Sequence, residues 1–168
     1  MSDTPRSVLF LCTGNSARSI LAEALLNHKG GDSFRGLSAG SQPKGAPHPM
    51  ALETLERHGF STAGLRPKSW DEFAEPGAPQ LDFIFTVCDN AAGEACPVWP
   101  GHPASAHWGI ADPAAIEGDG QRAAFEEALR LLEMRIDAFL ALPHDSLDRD
   151  ALTGKLADIG KSEGSTIV

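Results

Sequence analysis

The sequence has no tyrosine and no long hydrophobic run. The absence of tyrosine excludes regulation through phosphotyrosines of this chain, although it says nothing about substrates. No apolar run approaches the roughly 20 residues that a transmembrane helix needs, and the N-terminal sequence lacks the basic and apolar regions of a signal peptide. We therefore expect a cytoplasmic protein without a membrane partner.

Basic residues are also scarce, because 14 Lys and Arg stand against 23 Asp and Glu, giving a formal net charge of −9. A chain of this charge repels the phosphates of nucleic acids, so we expect no nucleic-acid partner. The same field repels small anions. Any site for an anion must therefore be built locally, from backbone N–H groups and a few basic side chains.

Cysteine is limited to three positions, Cys12, Cys88 and Cys96. An odd number in a reducing compartment argues against stable structural disulfides, so the thiols are inert core residues, metal ligands or chemically active groups. Zinc is one alternative, with Cys88, Cys96, His102 and His107 as ligands. Seven, five and four residues separate these positions, a looser spacing than that of the usual paired zinc ligands. We expect no metal and no organic cofactor.

Short apolar runs alternate with segments of helical periodicity along the chain. The predicted strands are 7–11, 34–40, 81–88 and 105–110, and the predicted helices are 18–29, 48–60 and 120–143. This alternation predicts βαβ units and a parallel sheet with both faces covered. At 168 residues the chain fits one domain, 1–168. Its C-terminal tail, from about residue 144, is expected to form a short helix (146–159) and then to fray.

The stretch LCTGNSARSI (11–20) ends the first predicted strand and opens the first predicted helix. In such a turn the loop N–H groups and the helix dipole converge on an anion, and the Arg18 guanidinium can bind two oxygens of a tetrahedral oxyanion. The same positive field should lower the pKa of Cys12 and make its sulfur a nucleophile. The alternative is a buried strand-end cysteine followed by a helix with a surface arginine. The predicted oxyanion-binding residues are Thr13, Gly14, Asn15, Ser16, Ala17, Arg18 and Ser19.

The segment VLFLCTGNSARS (8–19) resembles the phosphate-binding loop of the low-molecular-weight protein tyrosine phosphatase superfamily. Within that superfamily the chain is most similar to the thiol-dependent arsenate reductases, over about residues 7–142. The resemblance implies a flavodoxin-like α/β fold, a three-layer sandwich around a four-stranded parallel sheet in the order 2-1-3-4. Ligands of such sheets bind beyond the carboxyl ends of the strands, where Cys12 and Cys88 are predicted to lie.

The segment ADPA (111–114) matches the Asp-Pro loop of this family, in which the aspartate is the general acid that protonates the departing oxygen. Pro113 restricts Asp112 to an extended backbone and stiffens the loop. A leaving hydroxide or alkoxide needs a proton, which a positioned carboxylic acid can supply. We therefore expect Asp112 to be catalytic, although an Asp-Pro dipeptide by itself is more often a simple turn.

The second and third cysteines point to reduction rather than hydrolysis. Reducing arsenate to arsenite takes two electrons, which two thiols supply by forming a disulfide. If the first and third strands are neighbours, Cys12 and Cys88 lie about 4.8 Å apart at the strand ends, close to the roughly 5.5 Å Cα separation of a disulfide. The resemblance implies a relay in which Cys12 attacks arsenic, Cys88 resolves the intermediate, and Cys96 passes the disulfide to thioredoxin or to a glutathione/glutaredoxin system.

The sequence thus predicts an arsenate reductase of arsenic detoxification, a monomer or weak dimer for which phosphate and sulfate are competing oxyanions. One alternative is a low-molecular-weight phosphatase, which hydrolyses phosphomonoesters through a phosphocysteine and has no use for Cys88 or Cys96. Another is a non-catalytic oxyanion-binding module, which binds without turnover.

Three polar residues have expected supporting roles, although each could equally serve in capping or at the surface. Asn15 is expected to hold the loop through its amide, and the resemblance implies that Ser38 supports Asn15 or the loop backbone. Glu23 matches a position that helps to bind a structural potassium ion in some relatives. The nearby segment KSWDEF (68–73) departs from the acidic pattern expected there, which argues against a potassium site in this chain.

Overall fold

The computed structural model describes residues 5–88 and 103–162. In these ranges the strands are β1 (Arg6–Leu11), β2 (Phe34–Ala39), β3 (Phe83–Thr86) and β4 (Ala104–His107), and the helices are α1 (Arg18–Lys29), α2 (Pro49–Arg57), α3 (Gly120–Leu140) and α4 (Arg149–Gly160). Short 3-10 helices lie at Trp70–Phe73 and Pro113–Ala115. Within the same two ranges, no helix is both long enough and apolar enough to cross a bilayer.

The strands form one parallel sheet in the order β2-β1-β3-β4. Leu11 at the end of β1 pairs with Ala39 of β2 and with Thr86 of β3, so these three strands end at the same level. The predicted strand order and directions are confirmed. Because the strands are parallel, the residues that follow β1 and β3 meet at one edge of the sheet.

Both faces of the sheet are buried, as expected for apolar runs without alternation. On one face, Gly36 of β2 lets α1 approach closely, since an added Cβ there would lie 2.8 Å from the Glu23 carbonyl oxygen. Helix α3 covers the same face, where the ring of Phe139 packs edge-on against Phe85 at a centroid distance of 5.5 Å. On the opposite face Leu9 is fully buried.

Several elements are shorter than predicted. Strand β3 ends at Thr86 and β4 at His107, although backbone hydrogen bonds from the Val87 and Trp108 N–H groups to the neighbouring strands continue beyond these ends. Helix α2 begins at Pro49, and His48 caps it by accepting a hydrogen bond from the Met50 N–H at 3.1 Å. A proline at the first helical position fits, because its missing N–H would have no helical partner there.

The C-terminal tail packs on the core as far as residue 162, the last residue that the structure describes. The predicted short helix is present as α4. Asp148 caps it by accepting a hydrogen bond from the Ala151 N–H at 2.7 Å, and Leu156 is fully buried. The sequence pattern did not reveal this packing because α4 buries so few of its residues. Residues 163–168 lie outside the described ranges.

Candidate active site

The predicted oxyanion loop lies at the carboxyl edge of the sheet, between β1 and α1. Cys12 follows β1 directly; its N–H donates to the Ala39 carbonyl of β2 at 3.2 Å, and its side chain is buried. Helix α1 begins at Arg18, and Ala17 at its N-cap provides no side-chain acceptor. The first-turn N–H groups of α1 are therefore available to an anion in the loop.

A second backbone segment holds the loop from outside. N–H groups of residues 42–48 donate to the carbonyl oxygens of Thr13, Gly14 and Ser16 at 2.9, 3.0 and 2.8 Å. These bonds turn the loop carbonyls outwards, so that peptide N–H groups face the interior. Within the described residues, the N–H groups of Gly14, Ser16 and Ala17 have no hydrogen-bond acceptor. Together with the first turn of α1, they form the available set of backbone donors.

Asn15 keeps the loop in a conformation that few residues adopt. Its φ is +46°, in the left-handed region where asparagine is tolerated. Its own N–H donates to the Cys12 carbonyl at 3.2 Å. Its buried side chain donates to the Ser19 hydroxyl at 2.8 Å and accepts from the Lys68 N–H at 2.9 Å. The amide of Asn15 therefore bridges the loop to α1 and to residue 68, in agreement with its expected role.

Protein contacts alone orient the Arg18 guanidinium. Nη1 donates to the Ile110 carbonyl at 2.9 Å, and Nη2 lies 3.7 Å from a carboxylate oxygen of Asp112. Nε is buried and has no hydrogen-bond partner in the parts of the chain that the structure describes. Nε and Nη2 form one edge of the planar guanidinium. That edge can take two oxygens of an anion while Nη1 stays on Ile110.

The thiols of Cys12 and Cys88 lie together in the floor of the loop, as expected for residues that follow neighbouring strands. Both side chains are buried and both thiols are free rather than joined in a disulfide, and the Cys88 thiol is the neighbour with the largest effect on the ionisation of Cys12. The N–H of Thr13 donates to the Cys88 sulfur at 3.4 Å. A direct disulfide exchange between two cysteines requires this kind of proximity.

The protonation of Cys12 differs from the expectation based on the sequence. The Cys88 thiol and burial raise the pKa of Cys12 far above its ordinary value, while the Arg18 guanidinium acts in the opposite direction. The expected lowering is therefore wrong for the reduced thiol pair, because one arginine does not outweigh a neighbouring thiol and a desolvated site. Burial and the neighbouring thiol therefore disfavour the Cys12 thiolate, so an attack by its sulfur includes transfer of its proton.

Asp112 lies at the rim of the loop. One carboxylate oxygen accepts a hydrogen bond from the Ala114 N–H at 3.0 Å, and the other faces Arg18. Its backbone is extended, with ψ at 110°, as Pro113 predicted. The side chain is 42% exposed, so its carboxyl group can exchange protons with solvent and still reach an anion held by Arg18.

A buried ion pair next to Asn15 was not anticipated from the sequence. Nζ of Lys68 donates to the carbonyls of Ser38 and Arg66 at 3.0 and 2.8 Å, and lies 3.7 Å from the Glu23 carboxylate. The Ser38 hydroxyl donates to the same carboxylate, so Ser38 supports Glu23 rather than Asn15 directly. Burial raises the pKa of Glu23 and lowers the pKa of Lys68, and each charge opposes the shift of the other. Lys68, the first residue of the KSWDEF segment, therefore places a positive charge next to Glu23.

Two further positions shape the loop without a recognisable motif. Gly40 follows β2, and an added Cβ there would lie 2.3 Å from the Cys12 carbonyl oxygen and 2.4 Å from that of Thr13. A residue without a side chain is therefore required at this close approach. The glycine that ends LSAG was an available signal. Ile110 acts on Arg18 through its backbone carbonyl, for which a side-chain pattern gives no signal.

Two predicted residues lie outside the described ranges. They are Cys96, the predicted shuttle thiol and a ligand in the zinc alternative, and His102, another ligand in that alternative. Across residues 5–88 and 103–162, no three His, Cys, Asp or Glu side chains form a group that could hold a metal ion. His107, the remaining histidine of the zinc alternative, has Nδ1 at 2.6 Å from the Thr86 hydroxyl.

The site is a cysteine-containing oxyanion site. Its thiol lies in the floor of a loop of backbone N–H donors, and a guanidinium edge and a carboxyl group flank it. A parallel sheet in the order 2-1-3-4 carries this site. The chain belongs to the low molecular weight phosphotyrosine protein phosphatase family, whose family model matches residues 7–152.

Relatives of this chain include arsenate reductases. The arsenate reductase of Shouchella clausii is 35% identical over 111 residues, which cover 66% of this chain and 76% of the relative. That of Bacillus subtilis is 33% identical over 124 residues, covering 73% of this chain and 86% of the relative. The solved structure of the Corynebacterium glutamicum thioredoxin-dependent arsenate reductase superposes with a TM-score of 0.59 at 27% identity, covering 82% of this chain and 61% of that one.

Proposed function

We propose that the protein is an arsenate reductase, which reduces arsenate to arsenite and serves in arsenic detoxification. The observation that carries the proposal is the contact between the Cys12 and Cys88 thiols in the floor of the loop. Phosphomonoester hydrolysis needs one nucleophilic sulfur, whereas a two-electron reduction by thiols needs a second sulfur within disulfide distance. The relatives named arsenate reductase, at 35% and 33% identity, support the same substrate.

In the first step we assign Cys12 as the nucleophile. Arsenate is bound by the donors of residues 13–19, with two of its oxygens on the Nε and Nη2 edge of Arg18. The Cys12 sulfur forms a bond to arsenic, and an arsenic–oxygen bond breaks. The departing hydroxide takes a proton from Asp112 and leaves as water. The proton of the Cys12 thiol passes to a substrate oxygen, a transfer that the raised pKa of Cys12 makes part of the step.

In the second step we assign Cys88 as the resolving thiol. Its sulfur attacks the Cys12 sulfur, so that a disulfide forms and the sulfur–arsenic bond breaks. The electron pair of that bond stays on arsenic, which leaves as arsenite, and the Cys88 proton passes to an arsenite oxygen. Arsenic gains the two electrons that the thiols lose. The Thr13 N–H at 3.4 Å from the Cys88 sulfur favours negative charge there during the attack.

Repeated turnover requires export of the disulfide, which we assign to Cys96. Its thiol attacks Cys88 in the Cys12–Cys88 disulfide and restores the Cys12 thiol. The resulting Cys88–Cys96 disulfide is reduced by thioredoxin or by a glutathione/glutaredoxin system, and the thioredoxin-dependent relative from C. glutamicum favours the first. We further propose that residues 1–168 act as one cytoplasmic domain, a monomer or weak dimer without metal or organic cofactor, for which phosphate and sulfate compete with arsenate.

The function is tested by arsenate-dependent loss of NADPH with a regenerating thioredoxin or glutathione/glutaredoxin system. We expect steady turnover with at least one of them. Cys12→Ser should abolish it, because a hydroxyl is a poorer nucleophile than a thiol, gives up its proton less readily and cannot form the disulfide with Cys88. Arg18→Lys should lose most activity, because a point charge does not replace the planar fork. Phosphomonoester hydrolysis without arsenate turnover would instead identify a phosphatase of this family. Arsenate binding without either reaction would identify an oxyanion-binding module.

The stages of the relay are separated by two further variants. Cys88→Ser should form the Cys12–arsenic adduct and release no arsenite. Cys96→Ser should complete about one turnover and stop with Cys12 joined to Cys88. Multiple turnover by Cys96→Ser with thioredoxin would refute the shuttle role of Cys96. With glutathione, the same result would show that a small thiol reaches Cys88 directly.

A further inference from the structure

Helix α4 packs on the end of the strand that leads into the Asp112 loop. Most of this helix lies beyond the family match, which ends at residue 152. Its last residue, Gly160, rests on the backbone of β4: an added Cβ would lie 2.2 Å from the His107 carbonyl oxygen and 2.9 Å from Cδ1 of Trp108. An approach this close requires a residue without a side chain.

Trp108 links α4 to the sheet. Its Nε1–H donates to the Leu156 carbonyl of α4 at 2.9 Å, and both residues are fully buried. Its ring stacks on Phe85 of β3 at a centroid distance of 3.7 Å, and its backbone N–H donates to the Thr86 carbonyl at 2.7 Å. Trp108 is therefore anchored from two sides, by β3 and by α4.

The chain that follows Trp108 carries the groups of the oxyanion site. The Ile110 carbonyl accepts the hydrogen bond from Nη1 of Arg18 at 2.9 Å, and Asp112 comes two residues later. The sheet holds this stretch weakly, because the bond from the Ile110 N–H to the Val87 carbonyl is 3.4 Å long. Ile110 is two residues from Trp108, so a shift of Trp108 can reach the Ile110 carbonyl along a short stretch of backbone, although the Ile110 side chain is itself buried.

We propose that α4 is a positioning element of the oxyanion site, which sets the placement of Arg18 and Asp112 through Trp108 and Ile110. The inference rests on the proposed function, in which Arg18 binds the oxyanion. Gly160 and Leu156 are positioning residues, because they act on the site through the β4 strand end. A change that lifts α4 from residues 107–108 should therefore alter oxyanion affinity and not stability alone.

Two glycines of α4 provide a matched pair of variants. Gly160 is buried against His107, whereas an added Cβ at Gly154 has nothing within 4 Å. Gly154→Ala should leave the site unchanged, since alanine is the better helix former. Gly160→Ala must displace the helix or the β4 strand end. We expect Gly160→Ala to weaken phosphate binding in calorimetry and to lower kcat/KM for arsenate, each by roughly tenfold or more, because small misplacements of binding groups carry large kinetic costs.

A second variant loosens the packing of α4 without adding any atoms. Leu156→Ala should weaken the docking of α4 and shift phosphate affinity in the same direction as Gly160→Ala, and it serves if Gly160→Ala does not fold. Both are compared with Gly154→Ala by circular dichroism, and binding is measured well below the melting temperature.

Phosphate binding separates failure of this inference from failure of the proposed function, since it needs no reduction. If the protein does not reduce arsenate, the ratio of phosphate Kd values still tests α4. We also expect the pH profile of kcat/KM to change in Gly160→Ala, because Asp112 moves with the strand end. The proposal would be overturned if Gly160→Ala and Leu156→Ala had lower melting temperatures but the same phosphate Kd and pH profile as Gly154→Ala. Helix α4 would then have a purely structural role.

Discussion

Replacing Lys68 by methionine tests the buried ion pair beside the oxyanion loop. Nζ of Lys68 lies 3.7 Å from the Glu23 carboxylate, and the two side chains are 10% and 13% exposed. Methionine keeps much of the apolar length of lysine but leaves Glu23 with the Ser38 hydroxyl as its partner. Breaking a fully buried pair costs about 3–5 kcal/mol. Since Glu23 retains one hydrogen bond and can take up a proton, we expect a loss of about 2–3 kcal/mol at pH 8.

The loss of stability should depend on pH in a defined direction. Burial raises the pKa of Glu23 in the native protein, and Lys68 opposes that rise. Without Lys68 the folded-state pKa of Glu23 rises further, so the folded variant holds a proton that the unfolded chain has released. A carboxyl group with a raised folded pKa contributes stability below its unfolded pKa and loses it as the pH rises through the folded value. The variant should therefore approach wild type near pH 5 and fall behind by pH 8.

Thermal unfolding followed by circular dichroism at pH 5.5 and pH 8 measures the effect. For a chain of this size, 1 kcal/mol shifts Tm by about 2–4 °C, so Lys68→Met should lose about 5–10 °C at pH 8 and less than half of that at pH 5.5. The double variant with Glu23→Gln removes the unpaired charge and should recover most of the loss. Lys155→Met, at an exposed position of α4, is the control. A loss independent of pH, or a double variant no more stable than the single one, would refute the ion-pair argument.

Two other substitutions test the packing and the charge of the loop. Gly40→Ala places a Cβ 2.3 Å from the Cys12 carbonyl oxygen. We expect it to lower the free energy of unfolding by about 1–3 kcal/mol or more and to lower arsenate turnover as well. Normal melting and kinetics would show that the close approach is dispensable. Lys44 is exposed and its Cε lies 3.2 Å from an added Cβ at Gly14, so its charge partly offsets the net charge of −9 at the loop. Lys44→Met should raise KM for arsenate about threefold at low ionic strength and leave kcat unchanged. The difference in KM should disappear near 0.5 M salt. An unchanged KM at low salt would contradict the role of the Lys44 charge.

The features that could be predicted from the sequence depend on topology. The apolar runs at 7–11 and 81–88 mark strands that are buried on both faces, and their alternation with helices requires parallel pairing. Cys12 and Cys88 follow these two strands. Once the strands are neighbours, the meeting of the two sulfurs follows without knowledge of any side-chain packing. The left-handed conformation of Asn15 was likewise compatible with its residue type.

The features that could not be predicted depend on backbone groups and on opposed effects at short range. Ile110 holds Arg18 through a carbonyl that every residue possesses. Lys68 lies in a polar segment typical of the surface, and its burial depends on meeting Glu23 and two carbonyl oxygens together. The pKa of Cys12 reflects a balance between the Arg18 guanidinium, which lowers it, and burial and the Cys88 thiol, which raise it. The sequence predicted both neighbours but not which effect is larger.

The raised pKa of Cys12 affects anion binding as well as the proposed chemistry. A thiolate in the floor would repel an incoming oxyanion, in a chain whose net charge is already −9. A raised pKa of Cys12 reduces this repulsion, which favours binding of the anion by the loop N–H groups and the Arg18 edge. The required proton acceptor arrives with the substrate, whose oxygens are basic. The Cys88 thiol raises the pKa of Cys12 and is the resolving sulfur of the proposed reaction, so in that proposal one pair of side chains affects both anion binding and electron transfer.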